Sequence, residues 1–200
     1  MRPGKRTTEI IWALIAFATL IGAMLIIKYY GPVSFGAHGF NPSTSSSGGY
    51  EIVEGWFEWS FSMTCDDCGW DGPKYDDKRA DLYCDVRNIG LIKQYLDQGY
   101  TLEAIYVEKL KYHIWQKGTG RYIWSLYLND QKYVDKDVEW DGEHSQSYSA
   151  DVLSWFNATD TLHLHIYLFA QNKGGWFAEC KITLSDPAIY ILVYLKAPGA

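Results

Sequence analysis

Residues 103 to 116 read EAIYVEKLKYHIWQ, with apolar side chains at every second position: Ile105 and Val107, then Leu110, Tyr112 and Ile114. A period of two belongs to a strand with one face buried and the other wet. The phase slips by one residue at Glu108 and Lys109, as it does where a β-bulge sets two residues against one on the neighbouring strand. KGTG at 117 to 120 turns the chain, and Tyr122, Trp124, Leu126 and Leu128 resume the alternation until Asn129 and Asp130 close it. Further strands are expected at about 132 to 140, 146 to 156, 161 to 170, 176 to 184 and 188 to 196. Asp141-Gly142 and Asn172 to Gly175 serve as hairpin turns.

Upstream, Val53, Phe57, Trp59, Phe61 and Met63 alternate with Glu58, Ser60 and Ser62, a further half-buried strand. Asn88 is placed to cap a short helix carrying Leu91, Ile92, Tyr95 and Leu96 on one face, and Gly99 to end it. Short strands at even intervals predict a mainly β fold, an antiparallel β-sandwich over residues 51 to 200. Between strand and helix lies CDDCGWDGPKYDDKRADLYC, residues 65 to 84. Its density of Asp, Gly and Pro reads as a solvated excursion spanning 64 to 87.

The run IIWALIAFATLIGAMLII, residues 10 to 27, carries no charge. As a helix it covers roughly 27 Å, close to the hydrocarbon thickness of a bilayer. Arg2, Lys5 and Arg6 precede it, and Lys28, Tyr29 and Tyr30 follow it. Residues 9 to 30 therefore read as an uncleaved transmembrane anchor. Residues 1 to 8 are expected in the cytoplasm and the rest outside, on a cell or virion surface. Residues 31 to 50, rich in Gly, Ser and Pro, read as a flexible linker. Gly4, with Glu9 five residues later at the head of the apolar run, resembles a type IV pilin leader. Lys5, Arg6, Thr7 and Thr8 stand where pilins are apolar. That resemblance implies a helix packed in a filament core.

The net charge of −6 is unevenly spread: residues 1 to 30 carry four basic and one acidic residue, leaving fourteen basic and twenty-three acidic in the remainder. An external domain that acidic is not expected to bind nucleic acid, which needs clustered Lys and Arg. Sixteen Tyr and nine Trp suit strand faces and binding surfaces.

Residues 121 to 184 carry a recognisable cadence. A strand ends in Leu126, Tyr127, Leu128, Asn129; Asp151-Val152 stands two residues before Trp155-Phe156; Thr161-Leu162-His163-Leu164 follows; and Gly174-Gly175-Trp176-Phe177 opens a last strand. This resembles the jelly-roll modules related to galactose-binding domains. It departs from them at Asp130, where a turn glycine is usual, at Leu153-Ser154 and at Asp160. The resemblance implies a jelly-roll sandwich and names no ligand.

Cys65, Cys68, Cys84 and Cys180 all fall in the segment placed outside the membrane, where disulfides persist. Cys180 shares the core face with Ile182 and Leu184. The favoured pairing is Cys84 to Cys180 with Cys65 to Cys68; the alternatives are a four-thiolate zinc site and free thiols. Asp66, Asp67, Asp71, Asp76, Asp77, Asp81 and Asp85 offer hard oxygens that suit Ca²⁺, although their spacing matches no EF-hand. An acidic solvated loop is the plainer reading. His163 and His165 share the polar face of a strand and can share a metal if a third ligand meets them. No required cofactor is indicated.

No GxSxG, HExxH or glycine-rich phosphate loop occurs, so a non-enzymatic role is expected. Recognition or adhesion toward a glycan or a surface protein is the first reading, with Trp70, Trp115, Trp140 and Trp176 as loop-proximal platforms. The alternative is self-assembly as a structural subunit of a cell-surface or virion layer or filament. Asn157-Ala158-Thr159 is a glycosylation sequon.

Overall fold

Turn chemistry sets the architecture. In the computed structural model, which describes residues 39–66, 75–159, 161–175 and 179–199, the alternating segments form ten strands and one α-helix among those residues. They are β1 (Gly39–Ser47), β2 (Tyr50–Glu58), β3 (Ser62–Asp66), β4 (Tyr75–Cys84), helix α1 (Gly90–Asp97), β5 (Thr101–Gly118), β6 (Gly120–Leu128), β7 (Gln131–Trp140), β8 (Glu143–Asn157), β9 (Leu162–Asn172) and β10 (Cys180–Lys196).

Two antiparallel sheets result. One runs β1-β2-β10-β5-β8, with β3 also on β10; the other runs β4-β9-β6-β7. β2 and β3 act as one broken strand, because β2 pairs with the Ala188–Lys196 half of β10 and β3 with the Lys181–Ser185 half. The pairings are then nested: β2/β3 with β10, β4 with β9, β5 with β8 and β6 with β7. The chain is thus a long hairpin with its tip at β6 and β7, rolled so that alternate pairs fall in opposite sheets.

The tip is the two-residue turn Asn129-Asp130, with φ of 45° and 65°. Both values are positive, as a type I′ turn needs, and Asn and Asp tolerate that region better than most residues. The slip expected at Glu108 is present, since the β5–β8 register shifts between Val107 and Lys109. Opposite it sits Leu153 at φ 47°, turned out to solvent.

The sheets close on one apolar core. Ile105, Val107, Leu110 and Ile114 from the first sheet meet Leu126, Leu164, Ile166 and Leu168 from the second, all fully buried. Each such side chain contributes about 1.5 to 3 kcal/mol through removal from water. Trp124 Nε1 donates across the core to Tyr112 Oη at 3.4 Å. Trp59 Nε1 donates to the Tyr83 carbonyl at 3.1 Å, tying the β2–β3 break to β4.

The chain departs from the sequence reading in several places. Residues 39 to 47, assigned to the linker over 31 to 50, form edge strand β1, paired with β2 from Gly39↔Glu58 to Ser47↔Tyr50. Nothing in a Ser-rich stretch announces this; the edge of β2 supplies the partners. The excursion at 64 to 87 contains strand β4, whose Ala80, Leu82 and Cys84 are buried. The two strands expected at 176 to 184 and 188 to 196 are one, β10. Asp186 (φ 50°) and Pro187 form a bulge in it, whose groups are met by Phe61 O and Trp59 N. The first helical turn is a 3-10 turn, Val86–Asn88, capped by the Asp85 carboxylate; Asn88 donates to Asp85 and does not cap α1.

No helix among the described residues is long and apolar enough to cross a membrane. The expected anchor at 10 to 27 and the pilin-like leader lie outside those residues.

Candidate functional site

The outer face of the four-stranded sheet carries the densest set of functional side chains. Odd-numbered residues of β4 and β9 point outward because their even-numbered neighbours fill the core. Antiparallel register then sets the rows: Tyr83 opposite His163, Asp81 opposite His165, Arg79 opposite Tyr167, and Asp77 opposite Phe169. On the other side of β9, Tyr127 of β6 pairs with His165.

At the centre, His163 Nε2 lies 2.7 Å and His165 Nδ1 2.8 Å from Asp81 Oδ1. A carboxylate can only accept, so both imidazoles donate. Partial desolvation of Asp81 opposes its ionisation. The hydrogen bonds from His165 and His163 outweigh that and hold the carboxyl below the usual carboxylate range. The side chains remain 26% (His163), 30% (His165) and 41% (Asp81) exposed, so solutes can reach them.

The surrounding frame holds this group in place. The His163 backbone N–H donates to Asn129 Oδ1 at 2.8 Å, and its carbonyl accepts from Asn129 N at 2.9 Å. The tip turn therefore clamps His163 from both sides. The Tyr83 ring stacks on the His163 ring at 4.7 Å and 10°, and Tyr127 meets His165 edge-on at 5.7 Å. Arg79 lies over the Tyr167 ring at 5.6 Å, and Tyr75 stacks on Phe169 at 5.8 Å. Beside the histidines a shallow depression of about 480 Å³ is lined by Arg79, Tyr127, Asp130, His165 and Tyr167. Burial, then the Asp77 charge, raises the Tyr167 phenol above its ordinary pKa, so it stays a hydrogen-bond donor at neutral pH.

The other residues singled out in the sequence do not join this group. Trp115 lies on the larger sheet and donates from Nε1 to Glu143 at 2.9 Å. Trp140, 42% exposed, ends β7 beside His144. Trp70, Trp176, Cys68, Asp67 and Asp71 lie outside the described residues.

Two of the acids named for Ca²⁺ have partners within the chain. Asp76 turns to the opposite face of β4 from Asp77, accepts from the Asp66 N–H and lies 3.7 Å from Lys78, while Asp66 pairs with Lys181. One carboxylate oxygen of Asp76 and one of Asp66 are engaged by these groups. Asn157 is exposed at the end of β8, where the sequon requires it to be.

The Cys84 to Cys180 pairing is corrected, while Cys68, named as the partner of Cys65, lies outside the described residues. Cys65 and Cys84 are buried free thiols, and no disulfide is present among the described residues. Cys84 pairs with Leu162 at the start of β9. Cys180 lies against Gly120, whose partner is Asn172 at the far end of β9. That separation also excludes a zinc site shared by Cys84 and Cys180. Burial raises the pKa of Cys65 and of Cys84 well above the ordinary thiol value, so neither is a ready thiolate.

Sequence reading missed Asp81 as the partner of the two histidines, along with Tyr83, Arg79, Tyr127 and Tyr167. Their signal was present as the alternation Tyr75, Asp77, Arg79, Asp81, Tyr83 against Ala80, Leu82, Cys84. The aromatic content of the larger sheet's outer face was missed too: Trp56 under Lys111 Nζ at 3.8 Å, and Trp155, 60% exposed, between Tyr106 and Tyr194.

No protein-family model matches the chain, and no curated relative matches it. Among solved structures it is similar to a chain of the virus-like particle of the giant freshwater prawn Macrobrachium rosenbergii extra small virus. The identity is 11% and the TM-score 0.30, over 78% of this chain and 85% of that one. It is also similar to the GH31 alpha-xylosidase of Xanthomonas citri, at 10% identity and TM-score 0.15, over 84% of this chain and 28% of that one.

Proposed function

We propose that the chain is a membrane-anchored surface protein, held by residues 10 to 27, whose outward-facing sandwich recognises glycans through the outer face of the four-stranded sheet. The observation that carries this reading is the open row of rings and charges on β4, β9 and β6. Tyr83 on His163, Tyr127 at His165 and Arg79 on Tyr167 are each held by a neighbour and open to solvent. Planar rings offer stacking surfaces to the apolar faces of sugars, and fixed Asp, Arg and Tyr groups offer hydrogen bonds to hydroxyls. The nested strand order supports a jelly-roll reading of the sandwich, a fold used by lectin domains and by viral capsids alike. The fold therefore supports either class, and the ring-bearing face favours recognition.

The test is an array of neutral and acidic oligosaccharides probed with the full-length chain in detergent. Glycans retained by the protein and lost in Tyr83→Ala and Tyr127→Ala support the reading. An array that retains nothing, or retention indifferent to both variants, contradicts it.

Assembly into a surface or virion layer is the second reading, favoured by β1. This edge strand is exposed at all positions except Phe40, and its outer edge pairs with no other strand among the described residues. Such an edge can accept a strand from a neighbouring copy. Electron microscopy of the membrane fraction, showing ordered arrays in place of isolated domains, decides for it.

A further inference from the structure

We propose that Asp81, His163 and His165 form a site for a divalent transition metal, with Zn²⁺ as the preferred ion. This inference stands independently of glycan recognition. The donor set comes first. Two imidazoles and one carboxylate suit Zn²⁺, Co²⁺ or Ni²⁺, whereas Ca²⁺ asks for 6 to 8 oxygens and Mg²⁺ keeps most of its water.

Convergence comes second. The three donor atoms lie within 4.8 Å of one another, and this is the one such His/Cys/Asp/Glu group among the described residues. Bonds of about 2.0 to 2.2 Å at tetrahedral angles place ligand atoms roughly 3.3 Å apart. The present separations of 2.7 and 2.8 Å need to open by roughly half an ångström, within the reach of side-chain rotation.

Preorganisation comes third. Both histidines project from one face of β9, Asp81 stands directly opposite His165, Asn129 clamps the His163 backbone, and Tyr83 stacks on its ring. A site built on paired strands holds its donors more closely than one built on loops. Without metal, the ionised carboxylate takes both imidazole N–H groups; with metal, those nitrogens present lone pairs and each neutral imidazole carries its proton on the other ring nitrogen. Three protein ligands leave a coordination position for water or for an oxygen donor from a bound molecule.

The experiment is equilibrium dialysis of the untagged full-length chain in detergent against ZnCl₂, with CoCl₂ as a spectroscopic probe. One Zn²⁺ per chain is expected. Asp81→Asn, His163→Gln and His165→Gln should each weaken binding at least tenfold, with circular dichroism showing the β signal unchanged. His113→Gln/His144→Gln should retain wild-type affinity. Co²⁺ should give the visible bands of a tetrahedral nitrogen and oxygen site. Failure of the wild type to take up metal, or full affinity in the triple variant, overturns the site. If the variants misfold, the wild-type cobalt spectrum decides. Thiolate charge-transfer bands, placing the metal on cysteine, or an absence of tetrahedral bands, overturn the site equally.

Discussion

Cys84 and Cys180 stand at opposite ends of β9. Cys84 faces Leu162 at its first residue, and Cys180 packs on Gly120, the partner of Asn172 at its last. At about 3.3 Å per residue that strand separates them by roughly 30 Å, whereas a disulfide needs Cα atoms within about 7 Å. The core thus holds buried thiols where an external location had suggested a bridge. Reducing agent should leave the melting temperature unchanged. Cys84→Ala should lower stability by ~1 to 2 kcal/mol through loss of a packed sulfur. Denaturation with and without reductant checks both, and a drop of many degrees on reduction contradicts this account.

Gly120 is small because β6 begins against β10. A Cβ at this position would overlap Cys180 Sγ and come within 2.7 Å of the Gln171 carbonyl oxygen. Gly120→Ala should therefore destabilise by about 1 to 3 kcal/mol. Adding Cys180→Ala should recover only part of the loss, since the backbone oxygen cannot move aside. Chemical denaturation of the single and double variants measures the difference.

Gln116 is 2% exposed, and its Nε2 has no hydrogen-bond partner among the described residues. A buried amide nitrogen left unpaired costs about 1 to 3 kcal/mol relative to an apolar group of the same shape. Gln116→Met should raise the unfolding free energy by roughly 1 kcal/mol, read as an upward shift in the denaturation midpoint. A fall in stability would mean that the amide has a role this account does not give it.

Arg121 donates from Nε and Nη2 to Asp137, at 2.8 and 2.5 Å, and these hydrogen bonds hold the Asp137 carboxyl below its ordinary range. A carboxyl with a depressed folded pKa contributes stability that is fully present above its unfolded pKa of about 3.9. That contribution is lost as pH falls through the lower, folded value. Asp137→Asn should therefore lie below the wild type in stability at pH 7 and approach it at a pH below the folded value. Melting curves at the two pH values test the sign. The gap should shrink in high salt, as expected of an exposed pair.

Local signals in the sequence carried much of this fold. Alternation over 103 to 116, the slip at Glu108 and the turn at Asn129-Asp130 depend on neighbours a few residues apart, and each appears where it was read. What escaped depends on distant partners. β1 is a strand because β2 offers it an edge. β4 opens with Tyr75 and Asp76, so its apolar phase emerges only at Ala80. The meeting of Asp81 with His163 and His165 spans more than eighty positions and exists only once β4 and β9 are in register. The cysteines misled for the same reason: composition suggested pairing, and topology set two of them at opposite ends of one strand.

The two outer faces make the recognition claim decidable, since both carry exposed rings and only one carries the histidine and aspartate group. The most direct measurement is calorimetric titration of the full-length chain, in detergent, with the oligosaccharide that the array retains best. Wild type, Tyr83→Ala and Trp155→Ala are compared. Loss of a stacking ring costs about 1 to 2 kcal/mol, which is roughly a tenfold loss of affinity per 1.4 kcal/mol. Tyr83→Ala, on the four-stranded sheet, should show that loss, and Trp155→Ala, on the larger one, should keep wild-type affinity. Unchanged binding in Tyr83→Ala, with loss in Trp155→Ala, would contradict recognition through the four-stranded sheet.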